Sequence, residues 1–148
     1  MLNYYQELII STAQSFSVSD VTDKVAAVVS ASGVSCGMVV INSLHTTCAL
    51  SVNENEERLF DDIRDYFLKI APSDEAYKHN DLHLRENIPP DEPENAHAHL
   101  IAMLLGNSET LVIQNGALML GLYQSILLLE MDGPRDRKLA VQVLGVTL

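Results

Sequence analysis

The sequence predicts a single α+β domain, and three observations carry that expectation. At 148 residues the chain has enough apolar residues for one core and too few for two independent ones. Apolar residues make up 47% and charged residues 20%, the balance of a packed globular protein rather than a disordered or fibrous one. Helical and strand-like segments are interspersed without the strict alternation of a doubly wound parallel sheet. One domain is assigned to 1–148, with no internal repeat, low-complexity tract or linker.

The elements follow in order. Tyr4 to Thr12 is rich in β-branched and aromatic residues and reads as a first strand. Ser19 and Asp20 then offer an N-cap, Val21, Val25, Val28 and Val29 recur at helical spacing, and Gly33 stands at the C-cap. Met38 to Asn42 and Cys48 to Val52 read as two short buried strands joined through the polar tripeptide His45-Thr46-Thr47. A second helix opens among carboxylates at 53–57 and shows Leu59, Ile63, Tyr66, Phe67 and Ile70 on one face.

Pro72 stops that helix. The polar connection after it, from Ser73 to about Glu92, is of a length that in compact domains is usually functional or disordered. Glu94 to Leu105 reads as a short helix capped by Gly106. Thr110 to Gln114, Leu118 to Glu130 and Leu139 to Val146 are strand-like runs separated by the turn signals Asn115-Gly116 and Asp132-Gly133-Pro134, so the last third reads as an antiparallel meander.

Nine basic residues against 20 acidic ones give a formal charge of −11. Such a chain is repelled by phosphate backbones and anionic lipid surfaces, which argues against nucleic acid and membrane as partners. No apolar run approaches the roughly 20 residues of a spanning helix, and no charged-then-apolar leader opens the sequence. Cys36 and Cys48 lie in apolar stretches without disulfide or Cys-x-x-Cys spacing and read as buried thiols. The expected address is the cytoplasm.

All five histidines fall between His45 and His99, in segments that read as loop, strand end or helix start. Three imidazoles with one open position form a common catalytic zinc arrangement, so a metal site among them is possible, although the spacing matches no standard zinc motif. The residues alone leave five candidates, each of which could equally be a hydrogen-bonded loop residue. His97 and His99 cannot both face one ion from a regular helix, because positions i and i+2 lie on different faces. Around them, Thr46 and Thr47 bring hydroxyls, Asp81, Glu94 and Asn95 bring groups able to orient an imidazole, and Arg135 and Arg137 bring anion-binding charge. For Glu94 and Asn95, helix capping is as good a reading as chemistry.

Six motifs then carry a resemblance: His45-Thr46-Thr47 with Asn53-Glu54-Asn55; Tyr77-x-His79-Asn80; Glu94-Asn95-x-x-Ala98-His99-Leu100; Leu105-Gly106-x-Ser108; Gly116-x-Leu118-x-Leu120-Gly121-x-x-Gln124-Ser125-Ile126; and Glu130-x-Asp132-Gly133-Pro134-Arg135-x-Arg137. In that order, over nearly the whole chain, they resemble the YjbQ-like family, also called the secondary thiamine-phosphate synthase family. The resemblance implies a sandwich of mixed or antiparallel sheets with two to three inserted helices, assembled as a homotrimer. It also implies a zinc ion, or another divalent metal, held by His45, His79 and His99, and leaves His83 and His97 unmatched. Tyr123 stands where the family commonly has tryptophan, and His97 where a small or aromatic residue usually precedes Ala-His.

The implied reaction joins a pyrimidine pyrophosphate to a thiazole phosphate. In that reading the open metal position takes water or a phosphate oxygen, while Arg137 and the Thr46 and Thr47 hydroxyls position a small phosphorylated substrate, with Glu94 and Asn95 as further candidates at the reacting centre. Two other classes stand beside it: a non-catalytic protein that captures a metal and a phosphorylated ligand, and a metal-assisted hydrolase.

Overall fold

The computed structural model describes residues 1–147, and its strands form two antiparallel sheets. The first strand, β1 (Leu2–Ser11), is followed by a short β2 (Ser17–Asp20), helix α1 (Thr22–Ser32), β3 (Cys36–Ser43) and β4 (Cys48–Asn53). Next come α2 (Glu57–Ile70), two single 3₁₀ turns at Lys78–Asn80 and Leu82–Leu84, and α3 (Ala96–Leu105). The chain finishes with β5 (Ser108–Gln114), β6 (Ala117–Leu118), β7 (Ser125–Glu130) and β8 (Asp136–Val146). Five strands pair in the order β1-β8-β3-β5-β6 and three in the order β2-β7-β4. The α+β assignment holds, with every strand pair antiparallel.

Alternation along the strands builds a sandwich with a third layer. Val39, Ile41, Val141 and Val143 face Leu50, Ile126 and Leu128 of the smaller sheet, with the valines of α1 closing the same core. The opposite face of the smaller sheet, through Ala49, Leu127 and Leu129, packs on Ile101 and Ala102 of α3 and on Phe60, Ile63 and Phe67 of α2. Strand β7 is therefore buried on both faces, which is why Ile126 to Leu129 is apolar at every position. Burying a leucine side chain this fully contributes about 1.5–3 kcal/mol.

Local chemistry sets the helix limits. Glu56 caps α2 by accepting the N–H groups of Arg58 and Leu59 at 3.0 and 2.6 Å. The Asp20 carboxylate takes the Thr22 N–H at 2.9 Å at the start of α1, and Gly33 ends that helix at φ 70°. Helix α3 is capped from outside its own segment: Asn80 Oδ1 accepts the Ala96 N–H at 3.1 Å. The Asn95 side chain makes no cap hydrogen bond, so the capping role foreseen for it is filled by Asn80.

Two sequence expectations are corrected. Leu118 to Glu130 is not one strand, because Gly121 donates its N–H to Gln124 Oε1 at 2.7 Å and the chain turns there, leaving Leu122 and Tyr123 exposed between β6 and β7. The last third is not a meander either: β7 crosses to the smaller sheet, and β8 inserts between β1 and β3. Of the two free thiols, Cys48 is buried and Cys36 only half-buried. No helix among the described residues is long and apolar enough to cross a membrane.

Candidate functional site

The site lies at one end of the sandwich, where three segments meet. His45, Thr46 and Thr47 occupy the β3–β4 connection, Asn95 and His99 come from the start of α3, and Arg135 and Arg137 come from the β7–β8 turn and the first residues of β8. Together with Asp132 and Glu92 these side chains line a polar cavity of about 340 Å³. A second cavity of about 440 Å³ shares His45, Thr46 and His99 with it and continues past Cys48 to Met103. A third, of about 600 Å³, lies between Tyr77, His79, His99 and Leu100. His99 is common to all three.

The floor of the polar cavity follows from strand alternation. The register that turns Leu139 and Val141 inward also turns Arg137 inward, and the register that buries Ile126 and Leu128 does the same to Glu130. The two charges meet as a fork: Arg137 Nε donates to Glu130 Oε2 at 2.7 Å and Nη2 to Oε1 at 2.5 Å. Nη2 also donates to the Thr47 hydroxyl at 2.9 Å. Glu130 has no solvent exposure and Arg137 only 3%. Burial alone would raise the Glu130 carboxyl, but the Arg137 fork and the Asp132 N–H and Thr12 hydroxyl donors outweigh it and hold the group below its ordinary value.

Asn95 donates its amide to Asp132 Oδ2 at 2.7 Å, and the same oxygen accepts from Arg135 Nη2 at 2.9 Å. Asn95 thus serves the site through Asp132. Glu94 is exposed and lines neither of the two cavities around His45. Asp81, in the loop between the 3₁₀ turns, and exposed His83 also lie outside both.

Apart from exposed His83, the histidines separate into a pair and two individuals. His79 and His99 stack edge to face with ring centroids 4.8 Å apart, and His79 Nε2 is buried with no hydrogen-bond partner. His45 is engaged differently: its Nε2 accepts the Lys138 backbone N–H at 2.7 Å. Burial and, after it, the Arg137 charge lower the His45 pKa; burial and then the neighbouring His79 lower that of His99. Both are held as neutral imidazoles at neutral pH. His97 lies outside the polar cavity, facing Phe16, Phe67 and Met131, and burial lowers its pKa too.

These positions fit a metal incompletely. The partnerless His79 nitrogen beside His99 is what two ligands before binding look like, since a buried imidazole nitrogen otherwise finds a donor. His45, however, holds its Nε2 lone pair against the Lys138 amide. Among the described residues, no three His, Cys, Asp or Glu side chains converge closely enough to hold an ion.

The sequence reading passed over Glu130 and Asp132 as individual site residues, although both sit in the last motif it singled out. A signal was present: a carboxylate at the end of an uninterrupted apolar strand is a buried charge that requires a cation. Gly133 belongs to the same corner. A side chain there would press on Gln14, the Glu130 side chain and the Thr12 hydroxyl, so only glycine lets the turn sit this close.

Comparison with known proteins decides the family. Residues 6–146 match the model of the UPF0047 protein YjbQ-like family. The chain belongs to that family. A UPF0047 protein of Methanothermobacter thermautotrophicus is 39% identical over 142 residues, covering 96% of this chain and 92% of the relative. One from Archaeoglobus fulgidus is 40% identical over 138 residues, covering 93% and 99%. Among solved structures, a YbjQ-like protein of unknown function from Sulfolobus solfataricus superposes with a TM-score of 0.86 at 34% identity, covering 97% of this chain and 98% of that one. An uncharacterized YjbQ/UPF0047 protein of Clostridium acetobutylicum gives 0.83 at 36% identity, covering 94% and 99%. The family resemblance and the single-domain α+β fold read from the sequence are both borne out.

Proposed function

We propose that this UPF0047 protein binds a small phosphorylated molecule in the polar cavity and acts on it as a transferase of the thiamine-phosphate synthase type. One observation carries the reading: Thr46, Thr47, Arg135, Arg137, His45 and His99, brought from three separate segments, line one cavity beside the carboxylates of Glu92 and Asp132. Hydroxyl and guanidinium donors fixed before a ligand arrives are what an anionic leaving group needs, because they incur no reorganisation when charge develops.

In the proposed reaction the bond between the pyrimidine methylene carbon and the pyrophosphate oxygen breaks. Pyrophosphate departs with the electron pair, and the thiazole ring nitrogen supplies the pair for the new carbon–nitrogen bond. Thr46, Thr47 and the guanidinium groups would hold the departing anion, with neutral His45 and His99 beside it. Asn95 positions Asp132, and Glu94 stands outside the two cavities around His45. Zinc or another divalent metal is an ion that the His79–His99 pair would suit, since neutral imidazole binds such ions. A third ligand from His45 would require release of the Lys138 amide. A cytoplasmic homotrimer completes this reading.

A second reading has its own support. Arg137 is already neutralised by Glu130, and three ligands do not converge, so capture of a phosphorylated ligand without turnover fits the same residues. Incubating the zinc-supplemented protein with both precursors and following thiamine phosphate by mass spectrometry separates the two. Many product molecules per chain support the transferase. Ligand retained one to one without product supports the binding protein, and neither result excludes the family.

A further inference from the structure

We propose that Glu130 is a positioning residue that sets anion affinity by clamping the Arg137 guanidinium and, through it, the Thr47 hydroxyl. The inference rests on the reading of the cavity as a phosphate-binding site. It names a residue that lines none of that cavity yet holds two groups that do.

The geometry supports this through a complete set of donors on one carboxylate. Oε2 accepts Arg137 Nε at 2.7 Å and the Thr12 hydroxyl at 2.8 Å, while Oε1 accepts Arg137 Nη2 at 2.5 Å and the Asp132 N–H at 2.9 Å. Each contact fixes a different part of the floor. The fork sets the plane of the guanidinium and commits Nε and Nη2, so Nη1 is the nitrogen left without a side-chain partner in the side chain that lines the cavity. Through Nη2 the same plane sets Thr47 Oγ1. The Asp132 N–H ties down the residue whose carboxylate grips Asn95 and Arg135. Thr12, from the end of β1, also accepts the Arg135 N–H at 2.9 Å, anchoring the turn that carries both arginines.

A buried ion pair serving stability alone would not need these branches. Apolar residues of similar volume often replace such pairs without loss. A clamp on a binding group does need them, because a long arginine side chain left free loses rotamer entropy on every binding event.

The test uses the full chain and sodium pyrophosphate as the probe. Titration calorimetry compares wild type with Glu130→Gln and Thr12→Val, while nitrogen-15 spectra follow the Arg137 Nε–H signal. Glu130→Gln keeps the size of the side chain and is expected to weaken pyrophosphate binding roughly tenfold, about the worth of one charged hydrogen bond. Thr12→Val removes one donor to Glu130 and one acceptor for the Arg135 N–H without itself lining the cavity, and should weaken binding by about threefold. Both should broaden the Arg137 signal while a cooperative melt persists. A structural pair would lower the melting temperature without changing affinity in the folded variants, and that result overturns the proposal. If Glu130→Gln does not fold, Thr12→Val decides through the Arg137 Nε–H signal, which reads the Glu130 fork and not the Arg135 turn: a loss of affinity with that signal unchanged overturns the proposal. A wild type that binds no pyrophosphate overturns the functional reading and this inference with it, and is distinguished by a sharp Arg137 signal that does not move on titration.

Discussion

The floor and the histidine side of the site are built on opposite terms. On the floor, Glu130, Arg137, Thr12 and Thr47 satisfy one another, with the central charges almost wholly removed from water. On the histidine side, His79 Nε2 is buried without a partner, and the His79 and His99 rings meet edge to face. Satisfied polar networks rigidify a site, whereas orphaned atoms mark where something else belongs. The floor is a finished scaffold, whereas the histidine side keeps an unpaired buried nitrogen on His79.

The largest effect comes from breaking the floor. Arg137→Met leaves Glu130 as an unpaired buried carboxylate and should destabilise the fold by about 3–5 kcal/mol. The double change Glu130→Gln with Arg137→Met should recover most of that loss. Urea unfolding of the single and double variants measures the coupling, and additive losses would show that the two charges do not act as a pair.

Acid should reach the floor by a milder route. The Glu130 carboxyl titrates below its ordinary value in the fold, whereas in the unfolded chain it titrates near ~4.3. The unfolded state therefore takes up the proton first. The stabilisation is complete above that value and is lost as pH falls through the folded one. Unfolding free energy should decline in wild type below about pH 5, and less steeply in the Glu130→Gln, Arg137→Met double variant. Equal slopes would mean that other carboxylates dominate the acid limb.

How much of this was legible in the sequence depends on the range of the forces involved. Helix α2 was, because Ile63 and Phe67 mark its packed face and Glu56 caps it from the adjoining residue, although Phe60 packs there while Tyr66 and Ile70, read onto the same face, are exposed. The cap of α3 was not, because Asn80 reaches it from 16 residues away. The Leu118–Glu130 run read as one strand because periodicity cannot tell an exposed Leu122 from a buried Leu128. The insertion of β8 between β1 and β3 follows from pairings that no local pattern records. At the site, the His-Thr-Thr connection and both arginines line one cavity. The role read for Arg137 was incomplete, since its partner Glu130 lies across the β7–β8 turn and was not weighed as a charge needing a counter-charge.

The smallest stability effect belongs to the histidine side and is the most informative about metal. His79→Ala removes an imidazole whose Nε2 is buried without a hydrogen bond. Leaving such a group unsatisfied costs about 1–3 kcal/mol, and this penalty disappears with the side chain. The lost packing against His99 acts in the opposite direction, so the metal-free variant should stay within about 1 kcal/mol of wild type. Added zinc breaks that near-equality if the pair binds it. A ligand that binds only the folded state raises stability by RT ln(1 + [L]/Kd), about 2.7 kcal/mol at a hundredfold excess over Kd. Wild type should therefore melt several degrees higher with zinc, while His79→Ala and His99→Ala should not respond. A His45→Ala protein separates the ligand sets: a full zinc response assigns the ion to the His79–His99 pair, and a lost one shows that His45 gives up the Lys138 amide to join them.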